Sequence, residues 1–209
     1  MCAVLAGHTA SVCTLAELLD GRIASGSEDH SVRLWDKATR ACTAVLAHVS
    51  TVLALAALEC GGVAAGCADG SIALWSALGV RTATLGGAGF GAVWSLALLS
   101  DGRLASGHNA PNVIRVWDVE RRVLNVVISG HTSVVRSLAA LPDGRLLSGS
   151  GDNTLKVWDK RVLSVRGGAA ADTCAATIAG HADGVVALAV LPNRRVVSGS
   201  ADGTVRMWL

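Results

Sequence analysis

The sequence lacks a hydrophobic run long enough to cross a membrane. No uninterrupted apolar stretch is longer than Val52 to Leu58, whereas a transmembrane helix needs about 20 apolar residues. The first twelve residues also lack a basic segment ahead of their short apolar stretch, so a secretory signal is not expected. The sequence therefore predicts a chain that has no membrane partner and is located in the cytoplasm or nucleus.

Charged residues are also scarce. Asp, Glu, Lys and Arg make up 16% of the 209 residues, and the formal net charge is +2. An average soluble domain contains about 25% charged residues. Nucleic-acid-binding proteins usually concentrate Lys and Arg in a stripe that neutralises phosphates, whereas here the basic residues are scattered. We therefore expect no nucleic-acid partner.

The six cysteines do not include a C-x-x-C pair, which is the spacing of many zinc sites. We therefore expect no metal site and no cofactor. We interpret the cysteines as small buried hydrophobic residues. They are Cys2, Cys13, Cys42, Cys60, Cys67 and Cys174.

The chain repeats itself five times, with one tryptophan marking each unit. A Gly-His or Ala-His pair ends 27 residues before four of these tryptophans, and Gly89 stands 28 residues before the remaining one. Repeats at such a period indicate an array of similar structural units. The markers are Trp35, Trp75, Trp117, Trp158 and Trp208, separated by 40, 42, 41 and 50 residues.

Within each unit the apolar residues follow the periodicity of strands, and helical patterns are absent. Tight turns such as Asp20-Gly21 and Asp143-Gly144 separate the first two strands, because glycine supplies the positive φ that such hairpins need. The pattern predicts an all-β fold with four strands in each unit. The first strands begin at Val12, Val52, Val93, Val135 and Val185.

The two ends of the chain complete one another in this count. Residues 1–6 look like a fourth strand without its own unit, and the chain stops directly after a third strand. If the first strand joins the last three, every sheet has four strands and no unpaired edge remains at the seam. We therefore predict a single domain over residues 1–209. Its units are approximately 7–46, 47–85, 86–128, 129–178, and 179–209 together with 1–6.

These residues resemble the WD-repeat (WD40) family, whose signature is Gly-His near the start and Trp-Asp at the end of a unit of about 40 residues. The resemblance implies a β-propeller of five four-stranded blades, monomeric if the ring closes. The family usually has seven repeats, so a complete ring and a fragment of a larger propeller both remain possible. Trp35-Asp36, Trp117-Asp118 and Trp158-Asp159 match the signature, whereas Trp75-Ser76 and Trp208-Leu209 depart from it.

Three units contain a His, Ser, Asp and Trp set that invites a hydrolase interpretation. A catalytic triad needs one exposed nucleophile, an oriented base and an oxyanion hole, and three copies argue against that. The resemblance implies a structural hydrogen-bond chain from indole to carboxylate, so we predict no catalytic residues. The sets are His8, Ser25, Asp29, Trp35; His131, Ser148, Asp152, Trp158; and His181, Ser198, Asp202, Trp208.

Two units have incomplete sets. The second has Ala65 in place of the serine, and the third has Gly89 and Ala110 in place of the histidine and the aspartate. We predict that these two blades are less stable than the others and that the third blade opens first.

The resemblance also implies binding of proteins or peptides on the loops before the first strands and between the second and third strands. Interface hot spots favour Trp, Tyr and Arg, and this chain has no Tyr and one Phe, so Phe90 is the clearest anchor. Trp94 is expected to be buried. The candidate protein-binding residues are Thr9, Ser11, Glu28, Val49, Thr51, Phe90, Ala92, Thr132 and Val134.

The fourth unit resembles the WDxR box by which some WD proteins attach as substrate receptors to a cullin-type ubiquitin ligase. The matching residues are Asp152, Trp158, Asp159 and Arg161. Residues 165–173 insert about nine residues after this box and predict a flexible loop.

The sequence favours a noncatalytic scaffold for protein–protein interaction, with ligase substrate reception as a specific version of it. Two alternatives stay open. One is an enzyme with a pocket built on a propeller, and the other is a truncated propeller that closes only with another chain.

Overall fold

Twenty β-strands and one short helix make up the fold of residues 3–163, 168–171 and 174–208, which a computed structural model describes. The chain divides into two compact units, Met1–Val93 and Trp94–Leu209. Each unit consists of small sheets whose strands, with one exception in the second unit, follow one another in the chain. We call each sheet a blade and number the blades in chain order.

The first unit contains two four-stranded antiparallel blades. Blade 1 consists of β1 (Val12–Glu17), β2 (Ile23–Ser27), β3 (Ser31–Trp35) and β4 (Cys42–Ala47). Blade 2 consists of β5 (Val52–Ala57), β6 (Val63–Cys67), β7 (Ser71–Trp75) and β8 (Arg81–Gly86).

The second unit contains three blades and the helix α1 (Lys160–Leu163). Blade 3 consists of β9 (Val93–Leu98), β10 (Leu104–His108), β11 (Ile114–Asp118), β12 (Val123–Ser129) and β16 (Gly168–Ala171). Blade 4 consists of β13 (Val135–Ala140), β14 (Leu146–Ser150), β15 (Leu155–Trp158) and β17 (Cys174–Ile178). Blade 5 consists of β18 (Val185–Val190), β19 (Val196–Ser200) and β20 (Val205–Trp208).

The prediction of five blades is confirmed, but residues 1–6 do not complete the last one. Residues 3–6 form no strand, and residues 1 and 2 lie outside the described residues. Within the described part, blade 5 has three strands. The apolar pattern of the first residues is compatible with a strand, but a strand forms only where the edge of a sheet accepts its backbone groups.

The insertion after the fourth marker tryptophan contains a strand. Its residues 168–171 form β16, which pairs in parallel with β12 and gives blade 3 a fifth strand. The rest of the predicted flexible loop, residues 165–167 and 172–173, lies outside the described residues. The helix α1 just before it is a further departure from the prediction that helices are absent.

The first-to-second-strand turns use glycine as predicted in blades 1 to 4. Gly21 and Gly144 have φ of 85° and 86°, values that side chains with a Cβ rarely adopt. In blade 5 the corresponding residue is Arg194, which takes φ 64°. The chain therefore keeps the same tight turn in all five blades.

Neighbouring blades bury apolar side chains between two kinds of sheet face. In the first unit, Val32 and Leu34 of blade 1 share one core with Val52, Val63 and Trp75 of blade 2. We call the face of a blade that carries residues equivalent to Val32 and Leu34 its trailing face. The face that carries residues equivalent to Val52, Val63 and Trp75 is its leading face. Burial of these side chains removes apolar surface from water and stabilises the junction.

The same junction occurs in the second unit. Leu155 and Val157 form the trailing face of blade 4 and share a core with Val185, Val196 and Trp208 on the leading face of blade 5. Blades 3 and 4 meet in the same way. Each junction is therefore built from repeat-equivalent positions.

The cysteines are less buried than the sequence predicts. Cys13, Cys42 and Cys60 are exposed, whereas Cys67 is buried and Cys174 is partly buried. For the three exposed thiols the prediction of a buried hydrophobic role is wrong, because these residues lie at the edges of sheets or in a turn. Cys2 lies outside the described residues.

None of the described helices is long and apolar enough to span a membrane. Among the described residues, no group of three or more His, Cys, Asp or Glu side chains is placed to hold a metal ion.

Candidate functional site

The four polar side chains singled out in the first unit form a continuous hydrogen-bond chain. Trp35 Nε1 donates to Ser25 Oγ at 2.7 Å. His8 Nε2 lies 2.7 Å from the same hydroxyl, and His8 Nδ1 lies 2.7 Å from Asp29 Oδ2. Because a carboxylate only accepts, Nδ1 of His8 donates to Asp29.

Blades 4 and 5 repeat this chain with nearly the same distances. The serine hydroxyls are buried in both blades, as is the hydroxyl of Ser25. The separations are His131 Nδ1 to Asp152 Oδ2 2.7 Å, His131 Nε2 to Ser148 Oγ 2.7 Å, Trp158 Nε1 to Ser148 Oγ 2.8 Å, His181 Nδ1 to Asp202 Oδ2 2.9 Å, His181 Nε2 to Ser198 Oγ 2.8 Å and Trp208 Nε1 to Ser198 Oγ 2.9 Å.

The aspartate at the end of each chain also fixes two loops. Asp29 Oδ2 accepts a hydrogen bond from the backbone N–H of Thr9 at 3.1 Å, and Oδ1 accepts one from the hydroxyl of Ser31 at 2.6 Å. Burial alone would raise the pKa of Asp29, but the hydrogen bonds from Ser31, His8 and Thr9 outweigh it and hold this pKa well below its usual range. The carboxylate is therefore charged and accepts from both loops.

The repeated sequence pattern has a match among known families. The family model of the WD domain, G-beta repeat, matches residues 1–36, 122–159 and 172–208. The chain belongs to the WD40 family. The WD40 beta propeller domain of Doa1 is similar in structure, with a TM-score of 0.83 and 26% sequence identity over 97% of this chain and 65% of that chain. This similarity confirms the predicted fold class, an all-β WD40-type β-propeller.

Curated WD40 relatives match shorter parts of the chain. Human WD repeat and SOCS box-containing protein 1 is 47% identical over 58 residues, which are 27% of this chain and 14% of that protein. Putative E3 ubiquitin-protein ligase LIN-1 from Lotus japonicus is 41% identical over 70 residues, or 32% of this chain and 4% of that protein. The chain spans under a quarter of the length of the curated relatives that it matches.

The geometry of the WD40 hydrogen-bond chain fits a structural role. Each serine hydroxyl lies between an indole and an imidazole, and Ser148 and Ser198 are fully buried. A nucleophile must reach its substrate from an open cleft, whereas each of these hydroxyls is buried against its own blade. An unpaired polar group at this depth would cost about 1–3 kcal/mol, so the chain of bonds compensates for burying its members.

Blade 2 shows what happens when the serine is missing. With Ala65 in that position, Trp75 Nε1 and His48 Nε2 are buried and have no hydrogen-bond partner in the described part of the chain. The rings of His48 and Trp75 lie closer together, with centroids 5.4 Å apart against 6.1 Å for His131 and Trp158. The absence of the serine hydroxyl thus accompanies a closer approach of the two rings.

The histidine of blade 2 is held in its neutral form. Burial is the main cause that lowers the pKa of His48 to about 4; the positive charge of Arg81 acts in the same direction, and the charge of Asp69 opposes the shift. Its Nδ1 lies 3.4 Å from Cys67 Sγ. Burial also lowers the pKa of His131, although the hydrogen bond to its aspartate opposes this.

In blade 3, a histidine from a different position in the repeat contacts the serine. His108 Nε2 lies 2.8 Å from Ser106 Oγ, which accepts the Trp117 Nε1 hydrogen bond at 2.8 Å. The sequence pattern did not predict this role for His108, because His108 lies on β10 and not 27 residues before the tryptophan. The sequence feature that could have indicated the role is a histidine at a position where three other blades have serine. That blade 3 opens first stays a prediction. The contact of His108 with Ser106 weakens the reason for it, which was the missing histidine.

The structure brings the predicted binding loops together within single blades. The backbone N–H of Glu28 donates to Ser11 O at 3.0 Å, which joins the two loops of blade 1. Ala68 and Thr51 make the same bond in blade 2, and further copies occur in blades 4 and 5. Each blade of this kind presents the two loops as one joined surface.

The candidate binding residues differ in exposure. Phe90, the predicted anchor, is partly buried and makes contacts of its own. Trp94 is half-buried, with the guanidinium of Arg136 5.4 Å from its ring centroid. The exposed candidates are Thr9, Ser11, Glu28, Val49 and Thr132, and the partly buried ones are Thr51, Phe90, Ala92 and Val134.

The four residues of the ligase-box pattern have different environments. Asp152 and Trp158 belong to the hydrogen-bond chain of blade 4, and Trp158 is buried. Asp159 Oδ1 accepts from the backbone N–H of Arg161 at 2.8 Å, at the start of α1. Arg161 is exposed, whereas Val162 of the same helix is buried. The accessible group of this pattern is therefore the exposed side chain of Arg161, whose backbone N–H is held by Asp159.

A pocket of about 420 Å³ lies between blades 4 and 5 of the second unit. Its wall combines apolar side chains such as Ile178 and Trp208 with the Asp143–Arg145 ion pair. The carboxylate of Asp143 is held in its charged form, because the hydrogen bond from Arg145 lowers its pKa. A paired, charged carboxylate is a poor general base.

Proposed function

We propose that this chain is a noncatalytic scaffold that binds proteins through the loops before the first strands and between the second and third strands. The observation that carries this proposal is the double role of the aspartates. Asp152 Oδ2 accepts from the Thr132 backbone N–H at 3.0 Å, and Asp202 Oδ2 accepts from the Ala182 backbone N–H at 2.9 Å. The buried hydrogen-bond chains thereby fix the loops that a partner would contact.

Fixed loops favour binding because less conformational entropy is lost when a partner docks. Three of the five exposed candidates on these loops, Thr9, Ser11 and Thr132, are small and polar. A surface of this kind offers few large anchors, so the partner supplies the aromatic or arginine side chains that dominate most interfaces. Glu28 contributes one negative charge, with which a basic side chain of the partner can form an ion pair.

The enzyme alternative would need an exposed nucleophile that departs from the repeat. The hydroxyls of Ser25, Ser148 and Ser198 are buried and occur three times in the same arrangement. This favours the scaffold over the hydrolase.

Site-specific photo-cross-linking tests the scaffold proposal. A photoreactive residue at Glu28 or Thr132 should cross-link a bound protein, because both positions are exposed on the joined loops. The matched control is Ser100, which is exposed beside the Asp101-Gly102 turn between the first and second strands of blade 3. Equal cross-linking of the same protein from Ser100 would contradict binding through the loops.

We further propose that the specific role is substrate reception for a cullin-type ubiquitin ligase, through Arg161 and Asp159. A relative is named as a putative E3 ubiquitin-protein ligase. Arg161 fits this role because it is exposed on a helix whose buried face, Val162 and Leu163, fixes its position. A guanidinium in this position can bind a carboxylate of the ligase in a bidentate manner.

Capture by the adaptor subunit of a cullin-type ligase tests this version. Arg161→Ala should abolish capture without changing thermal unfolding. Arg121→Ala is the matched control, because Arg121 is also exposed and also follows a Trp-Asp pair in the second unit. Equal capture of Arg161→Ala and the parent would remove the ligase proposal, while the cross-linking result would still decide the scaffold proposal.

A further inference from the structure

One pair of side chains in the second unit departs from the repeat. Trp94 and Arg136 each occupy the second position of a first strand, on β9 and β13 respectively. The other three blades form without an aromatic or charged residue at this position, so the fold does not require the pair. Their residues at this position are Cys13, Leu53 and Val186.

The strand geometry turns the side chain of Arg136 toward solvent. The pairing register of β13 with β14 shifts between Val135 and Ser137, which makes Arg136 the extra residue of a β-bulge. A bulge re-aims the side chain of its extra residue and often lies beside an active site. Arg136 is exposed, whereas Val135 and Ser137 on either side of it are buried.

The indole of Trp94 holds the guanidinium of Arg136 in place. Arg136 Cζ lies 5.4 Å from the ring centroid of Trp94, within the range of about 6 Å over which a cation is attracted to an aromatic face. Within the described part of the chain, the guanidinium has neither an ion pair nor a hydrogen bond. Its planar fork of N–H groups is therefore available for a carboxylate.

Trp94 itself does not belong to a hydrogen-bond chain. The indoles of Trp117 and Trp158 donate to serine hydroxyls, whereas Trp94 Nε1 is buried and has no acceptor among the described residues. A buried unpaired N–H destabilises a fold, and the leucine that blade 2 has at this position would avoid that cost. The indole is thus explained by the guanidinium that it holds rather than by the core of its blade.

We propose that Trp94 and Arg136 form a binding site for an acidic segment of a partner protein. The guanidinium binds an Asp or Glu carboxylate of that segment in a bidentate manner. The half-buried indole packs against an apolar or aromatic side chain next to the carboxylate. An acidic segment is the occupant that charge complementarity favours, because the site presents one unpaired positive charge.

This inference rests on the proposed function, because it assigns a chemistry to the partner of a protein-binding scaffold. The site is nevertheless separate from the loops. Thr132 and Val134 precede β13, whereas Arg136 lies on the strand itself, and the cross-linking test does not use Arg136. A chain that cross-links its partner through Glu28 or Thr132 but binds no acidic peptide would contradict this site alone.

NMR titration of the full chain with a synthetic peptide tests the site. The probe is a capped peptide with one phenylalanine flanked by glutamates on both sides, and the matched probe has glutamine in place of every glutamate. The indole N–H signal of Trp94, identified by its loss in Trp94→Leu, should shift as the glutamate peptide is added. The glutamine peptide should bind about tenfold more weakly.

Fluorescence anisotropy of the labelled glutamate peptide compares the variants. Arg136→Gln should weaken binding by about tenfold or more, because the charge and the N–H fork are both lost. Arg122→Gln is the matched control, since it removes one positive charge from an exposed turn of the same unit, and it should bind like the parent. Thermal unfolding checks that the variants fold, and Arg136→Val, with the residue type of blade 5, provides a second variant.

Three results would each overturn the proposal. The first is an indole signal of Trp94 that does not shift at any concentration of the glutamate peptide. The second is equal binding of the glutamine peptide. The third is equal weakening by Arg122→Gln and Arg136→Gln, which would mean that the peptide responds only to the net charge of the chain.

Discussion

Trp158 donates its indole N–H to the hydroxyl of Ser148 at 2.8 Å, and the equivalent pair in blade 2 is Trp75 beside Ala65. There the indole N–H has no acceptor among the described residues. Blade 4 thus satisfies a buried donor that blade 2 leaves unpaired. This difference leads to a pair of opposite stability predictions.

Ala65→Ser should stabilise the protein by about 1 kcal/mol, because the new hydroxyl can accept from Trp75 Nε1 and donate to His48 Nε2. The free energy of unfolding from urea titration measures the effect. Ala64→Ser is the control, since it buries a hydroxyl on the opposite face of β6, and it should destabilise. A loss of stability in Ala65→Ser would show that the imidazole of His48 leaves no room for the hydroxyl.

Ser148→Ala should have the reverse effect and destabilise by about 1–3 kcal/mol, because Trp158 Nε1 and His131 Nε2 lose their shared partner. The denaturant midpoint should fall while the slope of the transition stays constant. Ser133→Ala, outside the hydrogen-bond chain, provides a comparison and should change the midpoint less. An unchanged midpoint in Ser148→Ala would contradict the energetic role of the chain.

His108→Ala should destabilise by about 2 kcal/mol or more, since it removes a fully buried ring and a partner of Ser106. Thermal unfolding measures the loss. The exposed His30 offers the control, and His30→Ala should leave the melting temperature nearly unchanged. Similar melting of both variants would mean that blade 3 does not depend on this replacement histidine.

Stability should decrease on mild acidification because of His48. Its pKa is about 4 in the folded chain against an ordinary value of 6.5, so the unfolded chain binds the proton more tightly. The free energy of unfolding should be level above about pH 7 and should fall as the pH drops from about 6.5 toward 4. His131 contributes a change of the same sign, because its pKa is also lowered.

His48→Gln should reduce this fall, because it removes the group whose folded pKa is lowered. Urea titrations at several pH values provide the comparison. A pH profile of His48→Gln that parallels the parent would show that folding does not change the pKa of His48.

The sequence was sufficient to predict the five blades and the members of the three complete hydrogen-bond chains. Both follow from spacing, because residues such as His8 and Trp35 occupy equivalent positions in each repeat. His108 could not be found by this route, since it reaches Ser106 from the same strand and breaks the spacing rule.

Long-range pairing was harder to predict. The strand β16 pairs with β12 across about forty residues, a choice that depends on an available sheet edge rather than on a local pattern. The same limit explains the wrong assignment of residues 1–6 to the last blade.

The central claim is that buried hydrogen-bond chains fix the loops that bind partners. Amide hydrogen exchange at Thr9, Thr132 and Ala182 tests it most directly, because these exposed residues donate their backbone N–H groups to the aspartates. We predict exchange as slow as that of the neighbouring strands, and faster exchange at Thr132 in Asp152→Ala. Exchange at the rate of a free surface loop in the parent would contradict the claim.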